Sequence, residues 1–223
     1  MGTITEDINL RNKNYVFRDR FHAGELLADK LKQYMNPVIL AIPSGGVPVG
    51  ATIAKKLGIA IDLIIVRKIP IPYSPEAGFG SVSWDGEVTI NERLLSQLHL
   101  SDEEIKAAID KVKLELKKRM EKFRGKKPFP ELKGRSVILV DDGLASGYTM
   151  LSAVSAVKRH SPARITVAVP TASKNALELI SPHVDELVCL NVRETAMFAV
   201  ADAYKEWYDL DEREVIGILK RWT

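Results

Sequence analysis

Two adjacent carboxylates, Asp141 and Asp142, stand between the apolar run Ser136–Val140 and the small-residue stretch Gly143, Leu144, Ala145, Ser146, Gly147, Tyr148, Thr149. The two halves of this string call for different partners. Gly143, Ala145 and Gly147 let the backbone approach a ligand closely, and the helix expected to follow turns N–H groups and its positive dipole end toward the loop. Ser146 and Thr149 add hydroxyl donors. This half is a cradle for a phosphate monoester. The acids cannot serve that phosphate, because their charge repels it. Vicinal hydroxyls of a sugar are suitable donors to carboxylates, and a magnesium ion with its waters would offset the negative charge. A phosphorylated ribose meets both demands. A bland reading exists for a lone strand-end Asp, which often caps a glycine turn, but it does not account for the whole string.

The elements that must position these residues are legible from apolar period and breakers. Residues 23–34 repeat at helical spacing, with Leu27 and Leu31 four apart, and Pro37 disfavours helix at Asn36. A buried strand over 38–42 leads into "PSGGVPVG", then a helix ending near Gly58 and a second buried strand over 59–66. This β-turn-α-β unit implies parallel strands joined by a right-handed crossover. Residues 67–90 leave the pattern, with three prolines and an Asp85-Gly86 hairpin signal. Ser101 and Glu104 form a capping box for a long helix to about Arg124, with an apolar seam at Ile105, Ile109, Val112, Leu116, Met120 and Phe123. After the strand Ser136–Val140 come a helix over 148–159, strands over 164–169 and 184–190 with a helix over 173–180 between them, and a tail helix capped by Asp211 and Glu214. Five parallel-type strands alternating with helices predict a doubly wound α/β domain with a mainly parallel sheet over 1–223. In such a sheet ligands bind beyond the carboxyl ends of the strands, where the Asp141–Thr149 loop falls.

Composition narrows the class. The chain has 223 residues, and 32 Lys and Arg nearly balance 29 Asp and Glu. A net charge of +3 gives no footprint for nucleic acid, and no helix pair or basic arm for DNA is visible. No apolar run is long enough to span a bilayer and no signal-peptide pattern opens the chain, so no membrane partner is expected. The lone Cys189, in an apolar stretch, fits a reducing cytoplasm and a structural role. His22, His99, His160 and His183 lack metal-ligand spacing. A P-loop is excluded because no Gly-Lys-Ser/Thr is present.

The run "VILVDDGLASGYT" resembles the signature of the type I phosphoribosyltransferases: four apolar residues, two acids, and a small-residue loop closing on Gly-x-Thr. "FRDRFHAGELLA" (17–28), "PEAGFGSV" (75–82) and "FAVADAYKEWYDLDEREV" (198–215) extend the likeness over nearly the whole chain, toward a poorly assigned branch of that family. The resemblance implies that Asp141 and Asp142 contact the ribose hydroxyls of phosphoribosyl pyrophosphate. It gives the 5-phosphate to the loop that ends at Thr149. It also calls for a grip on the departing pyrophosphate, and "PSGG" at the end of the first strand offers Ser44, Gly45 and Gly46 with backbone donors. Close relatives resemble "PRGG" here, so Ser44 departs from the pattern. Arg67 and Lys68, read as the end of the second strand, supply basic charge in a position similar to the family's. The excursion over about 67–91 resembles the flexible loop that closes over the substrate, and the N-terminal segment and C-terminal tail would form a small hood. Arg18 and Arg20 could line that hood, although surface arginines beside an N-terminal helix are the plainer reading.

The expected function is transfer of phosphoribose from phosphoribosyl pyrophosphate to a nitrogen acceptor, a nucleobase by family likeness, with release of pyrophosphate. Mg2+ is the implied cofactor, held through ligand and water near Asp141 and Asp142 and not by a direct protein cage. The resemblance further implies a homodimer. The competing expectation is a non-catalytic regulator that binds phosphoribosyl pyrophosphate or a nucleotide, motivated by Ser44. A diphosphokinase would need an ATP site that the sequence does not display.

Overall fold

The computed structural model describes residues 2–195 and 197–222. The chain divides into two compact units, 1–63 with 128–223 and 64–127, where one domain over 1–223 is the sequence expectation.

The first unit is built on a six-stranded sheet in the order β1-β9-β8-β7-β2-β3, every neighbouring pair parallel. Its strands are β1 (Thr3–Glu6), β2 (Val38–Ala41), β3 (Ile61–Leu63), β7 (Ser136–Val140), β8 (Arg164–Ser173) and β9 (Glu186–Arg193). The helices are α1 (Arg20–Lys30), α2 (Gly46–Leu57), α5 (Tyr148–Lys158), α6 (Lys174–Ile180) and α7 (Glu212–Trp222). Successive side chains of a strand point to opposite faces, yet Val38 to Ala41 and Val137 to Val140 are all buried, so the sheet is covered on both sides. α1, α2 and α7 pack together as one helical layer, and α5 with α6 as another. This is the α/β architecture with a mainly parallel sheet that the alternating elements predict, with a sixth strand in place of the expected five. β1 carries "TITE", three of its four residues polar and two exposed, which is why apolar content alone does not mark it.

The second unit holds the antiparallel sheet β4-β5-β6, made of β4 (Val66–Ile71), β5 (Ser74–Ser83) and β6 (Val88–Ile90), with α3 (Glu92–Leu95) and α4 (Asp102–Arg124). The predicted hairpin is present: Gly86 has φ +81° and donates its N–H to the Ser83 carbonyl at 2.8 Å. The capping box of α4 is also present, with Ser101 accepting from the Glu104 N–H and Glu104 from the Ser101 N–H. α4 lays Val112, Leu116 and Phe123 inward and packs on β4 and β5.

One expected strand is corrected. Residues 59–66 divide into β3, which ends at Leu63, and the start of β4 in the other sheet. From Val66 burial is mixed and not continuous, with Val66, Ile69 and Ile71 inside and Lys68 exposed, and the register on β5 shifts on either side of Pro70. Arg67 and Lys68 therefore do not end a strand of the parallel sheet. No helix among the described residues is long and apolar enough to cross a membrane.

Candidate functional site

β2 and β7 are neighbours in register, with Ala41 opposite Val140, so their carboxyl ends bring two sequence-distant turns together. The Ile42 N–H donates to the Val140 carbonyl at 2.8 Å, one residue before the acid pair. The Pro43-Ser44 peptide bond is cis. Gly45 and Gly46 then lie directly against the acids. A Cβ on Gly46 would stand 2.6 Å from the Val140 carbonyl oxygen and 2.9 Å from Asp141 Cα, and one on Gly45 would stand 2.7 Å from Asp142 Oδ1 and closer still to its Oδ2 and Cγ. Neither glycine has a positive φ, so close approach, and not backbone conformation, demands them. Ser44, Gly45, Gly46, Asp141 and Asp142 thus form one cluster at the strand ends.

The loop that follows is held by β8. Leu144 is buried, its N–H donates to the Thr171 carbonyl at 3.0 Å, and its carbonyl accepts from the Ser173 N–H at 2.9 Å. The Leu144 amide is therefore already used, and this residue anchors the loop instead of donating from it. Ser173 Oγ donates to the Ala145 carbonyl at 2.6 Å and also accepts from the Ala176 N–H at 3.1 Å as the N-cap of α6. Gly143 lies against Val200 and Thr171, with no room for a Cβ. Gly147 has φ +82°, a left-handed conformation that favours glycine, and it starts α5 without a side-chain cap. The first turn of α5 thus keeps N–H groups and the positive dipole end facing the loop. Ala145, Ser146, Tyr148 and Thr149 are exposed, so the Ser146 and Thr149 hydroxyls are accessible to a ligand.

The acids differ in their surroundings. Asp142 Oδ2 accepts from Arg20 Nε at 2.8 Å, and its backbone carbonyl accepts from the Tyr204 hydroxyl at 2.6 Å. Asp141 Oδ1 accepts the N–H of Asp142 at 2.9 Å. Burial pushes the Asp141 carboxyl well above the usual carboxylate range, and the neighbouring Asp142 charge pushes it the same way. Burial also raises Asp142, against the pull of Arg20. Burial raises the Tyr204 phenol, with Asp142 adding to it, so Tyr204 stays a donor.

Arg20 corrects the sequence reading, which favours a surface position. It is the first residue of α1, buried, and stacked 3.9 Å from the Trp207 ring centroid. The chain places it there by pairing residues 15–18 with 202–206: Phe17 N–H donates to the Ala203 carbonyl, Lys205 N–H to the Phe17 carbonyl and Glu206 N–H to the Arg18 carbonyl. Asp19 then caps α1 by accepting the His22 N–H at 2.8 Å. Arg20, Tyr204 and Trp207 carry no local signal of this role, because Arg20 meets an acid 122 residues away. Arg18 is exposed and paired with Asp19.

Arg67 and Lys68 belong to the second unit. Arg67 Nη2 is paired with Glu115 Oε2 of α4 at 2.9 Å. Among the described residues no group of three or more His, Cys, Asp or Glu side chains is disposed to hold a metal ion. Cys189 is buried in β9, and burial raises its thiol far above the usual range, which leaves it unreactive.

Comparison with known proteins agrees with this geometry. Residues 85–207 match the family model described as the phosphoribosyl transferase domain. A Mycobacterium tuberculosis protein provisionally named as a phosphoribosyl transferase is 34% identical over 208 residues, covering 92% of this chain and 47% of that protein. The chain thus spans about half the length of the curated relatives it matches. Among solved structures, the protein TT1426 from Thermus thermophilus superposes with a TM-score of 0.80 at 36% identity, over 92% of this chain and 98% of that one. A hypothetical protein from Neisseria gonorrhoeae with bound ppGpp shares the fold alone, at a TM-score of 0.50 and 16% identity over 95% and 97% of the two chains. The chain belongs to the phosphoribosyl transferase domain family.

Proposed function

We propose that this chain binds phosphoribosyl pyrophosphate and transfers its phosphoribosyl group to a nitrogen nucleophile, most simply a nucleobase. The observation that carries the proposal is the contact between the acid pair and the Gly45-Gly46 turn, immediately ahead of the α5 N-terminus. The Gly46 N–H is already given to the Ile42 carbonyl at 3.0 Å, so carboxylates for sugar hydroxyls, the turn at Gly45 for a diphosphate and a helix start for a monophosphate share one strand-end cluster. In the reaction the bond from the anomeric carbon to the pyrophosphate oxygen breaks, the bond to the acceptor nitrogen forms with inversion, and the acceptor N–H proton passes to solvent. No protein nucleophile takes part. The residues work by position and charge: the turn over 44–46 holds the leaving group, the acids fix the ribose and steady its cationic character, and the 143–149 loop with Ser146 and Thr149 holds the 5-phosphate.

Magnesium suits the cluster in one manner only. With Asp142 Oδ2 taken by Arg20 and Asp141 Oδ1 by an N–H, the oxygens that remain fit an ion bound mainly by substrate and water. When bound, the ion neutralises diphosphate charge. Arg67 and Lys68, basic residues of the second unit, are proposed separately, and Arg67→Ala and Lys68→Ala kinetics test whether either serves the reaction. A homodimer and a cytoplasmic location, the latter supported by the lone buried thiol of Cys189, complete the reading.

A second reading, a regulator that binds phosphoribosyl pyrophosphate or a nucleotide without turnover, draws on two features: Ser44 in the turn and an Asp142 already satisfied from within. One experiment separates the two. The purified protein is mixed with phosphoribosyl pyrophosphate, Mg2+ and a nucleobase pool, and pyrophosphate release and nucleotide formation are followed. Release that disappears in Asp141→Asn supports the transferase. Binding with no release selects the regulator, and no binding rejects both.

A further inference from the structure

Arg20 commits a buried charge to a residue of the candidate site. Its side chain is 7% exposed and that of Asp142 14%. Nε donates to Asp142 Oδ2 at 2.8 Å, Nη1 donates to the Tyr208 carbonyl at 2.9 Å, and the guanidinium carbon lies 3.9 Å from the Trp207 centroid and 6.0 Å from that of Tyr204. The Tyr204 hydroxyl returns to the same aspartate through its backbone carbonyl. From the other side, Gly45 leaves no space for a single added carbon beside the Asp142 carboxylate. Asp142 is thus held by α1, by the 204–208 segment and by the 44–46 turn. Asp141 is held differently: the hydrogen bond to its carboxylate comes from the N–H of Asp142 itself.

Stability alone is a poor reason for this arrangement, since an apolar pair of similar volume usually stabilises a protein as well as a buried ion pair or better. Fixing the geometry of one acid is a better one. We infer that Arg20 is a positioning residue that divides the acid pair, pinning Asp142 to the C-terminal segment and leaving Asp141 as the carboxylate that meets ligand hydroxyls. The inference rests on the phosphoribosyl reading above. It also lowers the charge of the pair toward that of a single carboxylate, which eases the approach of an anionic sugar phosphate.

The test has two arms. In the free protein, carbon-detected NMR titration follows the Asp141 and Asp142 carboxyls. The groups facing them are Arg20 from α1 and Tyr204 from the C-terminal segment, while Gly45 and Gly46 bring no titratable side chain. Asp142 loses its proton before Asp141 in the parent, and in Arg20→Gln its titration moves up toward that of Asp141. In the second arm, calorimetry measures phosphoribosyl pyrophosphate with Mg2+. Arg20→Gln weakens binding about tenfold, Arg20→Lys recovers part of it, and adding Arg20→Gln to Asp142→Asn costs nothing further. Asp141→Asn loses binding at least a hundredfold. Should Arg20→Gln fail to fold, Arg20→Lys takes its place, and there the Asp142 titration moves up and affinity falls in the same direction by a smaller amount. A folded Arg20→Gln with unchanged titration order and affinity overturns the inference. So does a folded Arg20→Lys in which neither moves, where Arg20→Gln does not fold. A parent protein that does not bind the ligand rejects the phosphoribosyl reading instead, and the titration arm still decides whether Arg20 positions Asp142.

Discussion

Gly45→Ala is the sharpest single test of how the site is packed. Gly45 has φ −61° and ψ −36°, a helical conformation that alanine adopts freely, so on backbone grounds the change should stabilise the α2 start by up to about 1 kcal/mol. Packing reverses the sign. The new Cβ would stand 2.7 Å from Asp142 Oδ1, the farthest of its three nearest atoms, which is 0.7 Å inside the 3.4 Å at which ordinary contact begins. Asp142 cannot swing aside easily, because Arg20 and Tyr204 hold its side chain and backbone. Overpacking of this kind costs about 1–3 kcal/mol, and for a chain of this size each 1 kcal/mol lowers the melting temperature by roughly 2–4 °C. The expected result is a loss of about 2–12 °C by circular dichroism, together with weaker ligand binding. Gly217→Ala is the control. Gly217 lies inside α7 with no atom within 4 Å of an added Cβ, so alanine there should stabilise by about 0.5–1 kcal/mol. Gly45→Ala melting at or above the parent, with ligand binding intact, would refute the packing described for the 44–46 turn.

Removing Arg20 as Ala leaves Asp142 buried without its counter-charge and the Tyr208 carbonyl without its donor, which should cost about 3–5 kcal/mol, or roughly 6–20 °C; a loss under about 1 kcal/mol in urea unfolding would contradict the buried pairing. Asp141→Asn should do the opposite at neutral pH. Because the native state raises the Asp141 carboxyl well above its ordinary value, the native state binds that proton more tightly, and the stability this brings is present below the ordinary value and lost as pH rises through the raised one. The Asn variant should therefore exceed the parent by on the order of 1 kcal/mol near pH 7 and lose that advantage in acid, as denaturation across pH would show; an advantage that grows in acid would reverse the assignment. Ser146→Ala and Thr149→Ala, both exposed, should leave stability within about 0.5 kcal/mol while weakening ribose 5-phosphate about tenfold each by calorimetry. Unchanged affinity in both would remove the hydroxyls from the phosphate cradle.

Local rules make much of this protein legible. The Ser101–Glu104 and Asp211–Glu214 boxes, the Asp85-Gly86 hairpin and the buried strand Ser136–Val140 are each decided within a few residues, and each is present. What is not legible depends on distant partners. β1 exists because Thr3 to Glu6 pair with Glu186 to Cys189, about 180 residues on, and "TITE" has no apolar face to announce it. The division of residues 59–66 is invisible to composition, since Ile64, Ile65 and Val66 are as apolar as the strand before them, yet β3 stops at Leu63 and only Val66 enters a strand, in the other sheet. Arg20 is the largest departure. An arginine between two charged or aromatic neighbours reads as surface, and only the pairing of residues 15–18 with 202–206 brings a tryptophan, a tyrosine and a carboxylate around it. The loop is legible from its residues, but the use of the Leu144 amide by β8 is not, because β8 runs on to Ser173, beyond the expected end.

The acid pair is where the local rules and the fold conflict, and the conflict has a direction. Two like charges side by side, both largely withdrawn from water, lower the stability of a free protein, and a single arginine offsets only one of them. A chain under selection for stability alone would carry Asn or Thr at 141. Keeping Asp there is reasonable only if a ligand supplies what the fold withholds, hydroxyl donors or a cation, so that the charge is compensated in the bound state. The two properties should then separate cleanly at Asp141 and not at Asp142, whose compensation is internal. Loss at residue 141 would fall on ligand binding and spare the fold, whereas loss at residue 142 would fall on the fold first. A substitution at Asp141 that raised stability and left phosphoribosyl pyrophosphate affinity untouched would show that the buried charge has some other cause.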